Sequence, residues 1–423
     1  MFNKRFSLKA KWAHELVQAP QATRTEESDQ QEADCVGQQL EALLGKFGIE
    51  AQLLHISRGP AVTRYKLKFT TAITKKQCAG LSKKIEANLG LDHVYVEIPV
   101  RNEPGVMHIE VPNRERKIPA LREILESPEF ANAGSELTVA LGRDVENNVV
   151  LVDIAGLPHL LIGGMTGSGK SALLRAMIVS LLKKATPEEV RLVLIDPKMV
   201  ELGIYNGVPH LLVPTLTDVK KALGALQWVN AEIMRRYKIM AEANVRSFKA
   251  YNERIEGREI TGDKLPRIVV IIDEISDLMM AATNEEETAI CRITQMGRAV
   301  GVHLILATQR PAGAVVTGLM KANIPSRIAF AVSNIWESRF ILEDRGAEKL
   351  IGRGDMFYAP IGNGKPIRVQ GCFVSEVEIE AAVALAKSNY DTSYDQQVLE
   401  KIERKAAQTG GMPDVSDPEP NAG

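Results

Sequence analysis

The sequence predicts an α/β protein: a mainly parallel sheet with crossover helices, preceded by a small α+β domain. Three observations predict it. From residue 137 onward, short β-branched runs alternate with long helical periodicities, as strand, helix and parallel strand do in one sheet. Ahead of them, helical and period-two apolar patterns mix over a shorter span. The 423 residues, 46.4 kDa in all, also exceed what one hydrophobic core usually organises.

The elements follow in order. Residues 1–34 read as a flexible segment, because AHELVQAPQATRTEESDQQEAD is polar with little periodicity. Folding is expected to start near Cys35, where Val36, Leu40, Leu43, Leu44 and Phe47 recur at helical spacing. A period-two run over 63–69 puts Tyr65, Leu67 and Phe69 on one face, and Cys78, Leu81, Ile85 and Leu89 mark a helix closed by Gly90. HVYVEIPV and MHIEVP supply strands around the turn Asn102-Glu103-Pro104-Gly105, completing a small α+β domain over 35–115. The larger domain, 116–390, holds the strands LTVAL, VVLVDI, HLLIGG, VRLVLID, RIVVIID, VHLILAT and SRIAFAV, with helices over 171–184, 218–251, 285–299 and 337–350. Residues 391–423 read as a short helix and a tail, disordered from Gly410 because Gly, Pro and acidic residues dominate it.

Composition narrows the function. Apolar residues are 45% and charged residues 25% of the chain, which excludes collagenous and wholly disordered classes. The 52 Lys and Arg nearly cancel the 53 Asp and Glu, so a polyanion site must be local. Cys35, Cys78, Cys291 and Cys372 form no C-x-x-C pair and have no His at ligand spacing, which signals neither zinc nor a disulfide framework. The basic start MFNKRF lacks a following apolar region, and RIVVIIDEISDLMMAA is interrupted by Asp273, Glu274 and Asp277. A cytoplasmic protein without a membrane segment is therefore expected.

The strongest chemical signal is Gly164-Met165-Thr166-Gly167-Ser168-Gly169-Lys170-Ser171, which fits G-x-x-x-x-G-K-[ST] between a predicted strand and a predicted helix. In that pattern glycines let backbone N–H groups wrap phosphates, Lys170 reaches the β and γ phosphates of ATP, and Ser171 ligates Mg2+. A carboxylate at the end of a neighbouring strand completes such a site. Asp273 is expected to serve the Mg2+ shell, and Glu274 to polarise the attacking water. Gln309, at the end of VHLILATQ, is a candidate γ-phosphate sensor if its strand adjoins the one bearing Asp273. Asp196, in LIDPK, reads as structural. No N-K-x-D element follows the P-loop, so a GTPase is not expected.

These residues resemble a known family. T-G-S-G-K-S, I-D-P-K-M-V-E-L, R-R-Y-K-I-M, V-V-I-I-D-E, G-R-A-V-G-V-H-L-I-L-A-T-Q-R-P, K-A-N-I-P-S-R-I-A-F and G-R-G-D-M, in that order over about residues 35–375, are similar to the motor of FtsK/SpoIIIE DNA translocases. The resemblance implies a small α domain before a RecA-like P-loop domain, a homo-hexameric ring, and ATP-driven pumping of double-stranded DNA through a central channel. It implies that Arg298, in G-R-A-V-G, is an arginine finger offered to the neighbouring subunit, and that Lys321, Arg327 and Arg339 face DNA or a neighbour. Many relatives carry S-S-K-I-D-S-R where this chain reads Ser333-Asn334-Ile335-Trp336-Glu337-Ser338-Arg339, so Ile335 replaces a family lysine. Neither the family's membrane region nor its DNA-reading winged-helix γ domain is expected here. Two other functions stay open at this level: a related motor moving protein substrates, and a nucleotide-gated binding module.

Overall fold

In the computed structural model, which describes residues 26–409 apart from 70–72, 79, 99, 101–102, 158, 281–283, 314 and 363–364, two sheets divide the chain. The first is 4-stranded, in the order β1-β2-β4-β3, and antiparallel throughout. Its elements run α1 (Glu26–Lys46), β1 (Ala51–Arg58), β2 (Val62–Phe69), α2 (Lys75–Cys78), α3 (Leu81–Leu89), β3 (Tyr95–Glu97) and β4 (Val106–Pro112). Leu40 and Leu44 of α1 and Leu81 and Ile85 of α3 pack on Tyr65, Leu67, Met107 and Ile109 of the sheet. That burial is the small domain's core.

Three details differ from expectation. Helix α1 opens at Glu26, ahead of Cys35, because Ala33 is buried and Asp29 pairs with Arg58 of β1 at 3.1 Å, which ties the polar first turns to the sheet. Cys78 lies in α2 and not in the helix of Leu81, since a left-handed Gly80 separates the two. Strand β1 is unforeseen, its alternation being blurred by a register irregularity between Leu53 and His55. Residues 1–25, the tail from 410 and part of the turn at 102–105 lie outside the described residues.

The second sheet is 9-stranded, in the order β6-β5-β13-β12-β11-β7-β10-β9-β8. The chain builds it through α4 (Leu121–Leu125), α5 (Pro128–Asn132), β5 (Thr138–Asp144), β6 (Val149–Asp153), β7 (Leu160–Gly163), α6 (Lys170–Lys184), β8 (Val190–Ile195), α7 (Val219–Glu242), α8 (Phe248–Glu256), β9 (Arg267–Ile272), α9 (Ile275–Met279), α10 (Asn284–Met296), β10 (Val302–Thr308), α11 (Gly318–Asn323), β11 (Ser326–Phe330), α12 (Ile335–Leu342), β12 (Asp355–Ala359), β13 (Ile367–Gly371), α13 (Glu376–Asn389) and α14 (Gln396–Thr409). Strands β11, β7, β10, β9 and β8 run parallel. The remaining pairings are antiparallel, so the sheet is mixed and its parallel character belongs to one half.

Both faces of that parallel half are covered, as uninterrupted apolar strands require. Along β9, Val269 and Ile271 join the core under α6, while Ile268, Val270 and Ile272 join the core under α7. Helix α14 lies directly on α7: a Cβ at Gly224 would sit 2.6 Å from the Ile402 carbonyl oxygen, so only glycine admits this approach. The helix expected over 218–251 breaks where Asn244 turns left-handed (φ 50°) and Ser247 caps α8. The one expected over 337–350 starts earlier, capped by Asn334, and stops at the left-handed Glu343 (φ 61°). Among the described residues no helix is long and apolar enough to cross a membrane.

His159 and His210 are fully enclosed, and burial brings each imidazole from the usual 6.5 down to about 4. The Leu304 N–H donates to His159 Nδ1 at 3.0 Å, which requires that nitrogen to be unprotonated. The folded value lies below the unfolded one, so these groups' stability is full above about pH 6.5 and declines as pH falls toward 4. The urea midpoint is therefore expected to drop between about pH 7 and pH 5, and to drop less in His210→Asn. An unchanged slope in that variant would contradict the assignment.

Candidate nucleotide site

Strand β7 sits between β10 and β11, parallel to both, and its loop leaves the sheet at the carboxyl end. The chain reaches the far edge at β8 and returns through β9 and β10, so the crevice beyond β7 is a topological switch point where α/β sheets bind ligands. Gly164 N–H donates to the Thr308 carbonyl (3.2 Å) and Met165 N–H to the Ala331 carbonyl (3.0 Å), which ties the start of the loop to the ends of both neighbouring strands. Gly167 (φ 76°) and Gly169 (φ 119°) are left-handed, and Gly169 is the N-cap of α6. No side chain caps that end. Its free N–H groups and the helix dipole suit an anion.

Lys170, 3% exposed, donates from Nζ to the Asp273 carboxylate (2.7 Å) and to the Asp273 carbonyl (2.6 Å). Burial raises the Asp273 carboxyl above its ordinary value; Lys170 lowers it, and Asp196 and Glu201 add to the rise. Glu201 is itself paired with Arg175 at 2.6 Å. Asp196 is structural, as expected, since its Oδ2 accepts the N–H groups of Glu201 and Leu202 at 2.8 and 2.9 Å; its buried Oδ1 has no hydrogen-bond partner. Ser171, on the first turn of α6, and Asp273 are both hard oxygen donors, the kind Mg2+ takes. Among the described residues there is no group of three or more His, Cys, Asp or Glu that could hold a metal ion.

Glu274 is 1% exposed and caps α9. It accepts from Thr308 Oγ1 and from the Gln309 N–H, both at 2.9 Å, and from the Ser276 hydroxyl. Burial alone would raise this carboxyl, but those hydrogen bonds outweigh it and keep the group ionised to lower pH. Lys198 Nζ stands 3.6 Å away. Gln309 reaches the P-loop itself: Thr166 Oγ1 donates to its Oε1 at 2.7 Å. The expected neighbour relation holds, because β10 pairs with both β7 and β9.

Arg298 lies in a 3-10 turn before β10, at the opposite end of that strand from Gln309. Seven residues of strand separate the two, roughly 23 Å at about 3.3 Å each. Arg236, buried in α7, donates to the Val300 carbonyl (2.9 Å) and holds the turn, while Arg298 donates to the Gly156 carbonyl (3.2 Å). Arg298 is thus far from the P-loop of its own chain.

The other three cations behave differently from one another. Arg327 is 7% exposed and its guanidinium is consumed by the carbonyls of Lys321, Ile324 and Ile341 and by Glu343 at 2.8 Å, so it clamps α11 to α12 and does not face outward. Its place on an inner strand, with the ends of two helices above it, is the reason. Lys321 lies 4.2 Å from the Phe340 ring centre and donates to the Phe340 carbonyl. Arg339 stacks on the exposed Trp336 and stays partly open.

Several functional neighbours carried no usable sequence signal. Thr308 and Ser276 are small hydroxyls, and Lys198 is an ordinary surface cation. Gly354 was visible only as a glycine in G-R-G-D-M, yet its N–H donates to the Ser168 carbonyl at 2.8 Å.

Scored against known families, residues 120–313 match the FtsK/SpoIIIE family and residues 13–113 match the FtsK alpha domain. A DNA translocase FtsK of Clostridium acetobutylicum is 44% identical over 400 residues, 94% of this chain and 52% of its own length. The chain belongs to the FtsK/SpoIIIE family. An FtsK of Caldanaerobacter subterraneus is 48% identical over 362 residues, 86% of this chain and 50% of its own. The chain thus spans about half the length of these FtsK relatives, at 52% and 50%. Among solved structures, the pCW3 conjugation coupling protein TcpA aligns with a TM-score of 0.57 at 19% identity, over 84% of this chain and 99% of that one, which shows a shared fold.

The P-loop glycines of this FtsK/SpoIIIE chain separate two kinds of strain. A Cβ at Gly167 would meet nothing within 4 Å, whereas one at Gly169 would sit 2.6 Å from the Gly354 nitrogen. Gly167→Ala should cost about 1–2 kcal/mol from its left-handed backbone alone. Gly169→Ala should cost more and speed hydrogen exchange at 352–355. Equal losses in urea denaturation, with no change at 352–355, would refute the buttress.

Proposed function

We propose that this chain is the motor of an ATP-driven double-stranded DNA translocase, acting as a ring of identical subunits, six in number. One observation carries this: the 44% identity to a DNA translocase FtsK extends across 94% of the chain. The geometry supports each part of the chemistry. Backbone N–H groups of Thr166, Gly167 and residues 169–171 cradle the phosphates of ATP, and Lys170, released from Asp273, neutralises the β and γ oxygens. Glu274, ionised and fixed by Thr308 and Gln309, orients the attacking water. Gln309, bonded to Thr166, links the phosphate loop to β10. Ser171 and Asp273 would hold Mg2+, which when bound offsets phosphate charge.

Arg298 completes the site from outside. Its distance from its own P-loop along β10 favours a role in trans, stabilising charge on a neighbour's ATP. The near-neutral chain, with 52 basic and 53 acidic residues, suits a ring whose excess cations lie only along its channel. The chain is expected in the cytoplasm.

Duplex DNA should stimulate ATP hydrolysis, with stimulation falling steeply as salt rises, and ATP should drive triplex displacement on linear duplex. Hydrolysis indifferent to DNA would favour a protein cargo instead. Mixing Lys170→Ala with Arg298→Ala should restore turnover above either variant alone, since each supplies what the other lacks. A mixture no better than the sum of its parts would place Arg298 in cis or outside the site.

The pH profile tests Glu274. Thr308→Val removes a hydrogen bond that holds this carboxyl down, leaving burial to raise it, so the acidic limb of hydrolysis should move to higher pH. Glu274→Gln should retain ATP binding and lose hydrolysis by roughly 100-fold or more. An unmoved limb in Thr308→Val would remove Glu274 from the role of base.

A further inference from the structure

Arg64, Glu110, Arg368 and Asp355 form one continuous chain of charges between the domains. Arg64 of β2 donates twice to Glu110 Oε1 of β4 (2.9 and 2.6 Å), and Arg368 of β13 donates to Glu110 Oε2 (2.7 Å). On its other edge Arg368 grips Asp355 of β12 in a two-point fork (3.0 and 2.6 Å). Glu110, Arg368 and Asp355 are each 1–2% exposed. Two positive and two negative groups balance, which is what makes such burial tolerable.

Asp355 is also the end of a strained turn. Gly352, Arg353 and Gly354 all have positive φ (78°, 54° and 96°), a run that L-residues avoid and that persists only when its surroundings hold it. Asp355 Oδ2 accepts the Ile351 N–H (2.9 Å), and Gln370 Nε2 donates to the Arg353 carbonyl (3.0 Å). The turn then meets the P-loop, where the Gly354 N–H donates to the Ser168 carbonyl beside Gly169. The path from β4 to the phosphate loop therefore contains no unbonded step.

We propose that the small domain sets the conformation of the P-loop through the buried chain Arg64–Glu110–Arg368–Asp355, with Arg368 as the positioning residue and the 352–354 turn as the element it holds. This rests on the P-loop being the nucleotide site. Because coupling is reciprocal, nucleotide bound at the P-loop would in turn stiffen β4. Arg368 touches no substrate. A fork to Asp355 and a separate nitrogen for Glu110 need a planar guanidinium, so Lys cannot replace it.

The test uses the full chain and hydrogen exchange read by mass spectrometry. Glu110→Gln, in the small domain, should speed exchange at 164–171 and 352–355 by roughly three- to tenfold, within the range of energetic coupling between distant sites. Should that variant fold poorly, the paired substitution Arg64→Met with Glu110→Leu removes one charge of each sign at similar volume, leaves the Arg368–Asp355 fork intact and should show the same change. Lys349→Ala breaks another tie between the domains, the 3.1 Å pair with Glu86, and should leave 164–171 unchanged. Fluorescent ADP should slow exchange over 106–112 in the wild type and not in the paired variant. The relay is overturned if exchange changes stay within 26–112, if Lys349→Ala reproduces them, or if ADP protection survives in the paired variant. A wild type that binds no fluorescent ADP would instead refute the nucleotide site, while the exchange comparison without nucleotide still decides the relay.

Discussion

The ion pair between Lys170 and Asp273 is the interaction on which the larger domain turns. Both side chains are almost out of solvent, at 3% and 2%. A buried pair of this kind repays its desolvation poorly and is weak evidence for stability. Its value here is positional. It ties the first residue of α6 to the residue just past the end of β9, and so fixes the distance between an anion cradle and a pair of carboxylates. Asp196 and Glu201 push the Asp273 carboxyl up while Lys170 holds it down, so the pair is balanced by its neighbours and not by itself.

The two halves of the sheet divide the labour. The parallel half brings the carboxyl ends of β7, β9 and β10 together, which is where Lys170, Asp273, Glu274 and Gln309 converge. The antiparallel half carries none of those groups. It contributes rigidity from behind: the turn before β12 presents Gly354 to the back of the phosphate loop, and β13 reaches across to the small domain through Arg368.

Much of this was legible in the sequence for physical reasons. The eight residues Gly164 to Ser171 need a strand before and a helix after, and both patterns are strong. Strand β9 declares itself because it is buried on both faces and reads as a continuous apolar run. Strand β13 was illegible for the opposite reason: Arg368 and Gln370 occupy its inward positions, so its alternation reads as polar although both residues are buried. The same misdirection affected Arg327, a cation whose partners are backbone carbonyls that no sequence pattern announces. Helix ends were misplaced at Asn244 and Glu343 because left-handed non-glycine residues stop helices without the usual punctuation.

The direct contact of α14 on α7 at Gly224 also bears on how the chain tolerates shortening. Val398 and Ile402 cover Ala222, Ala225 and Leu226, so the last described helix works as a sealing strip over an otherwise greasy flank. Trimming the protein ahead of 396 would bare that flank to water, and molecules cut there would tend to stick to one another even with every phosphate-handling group intact.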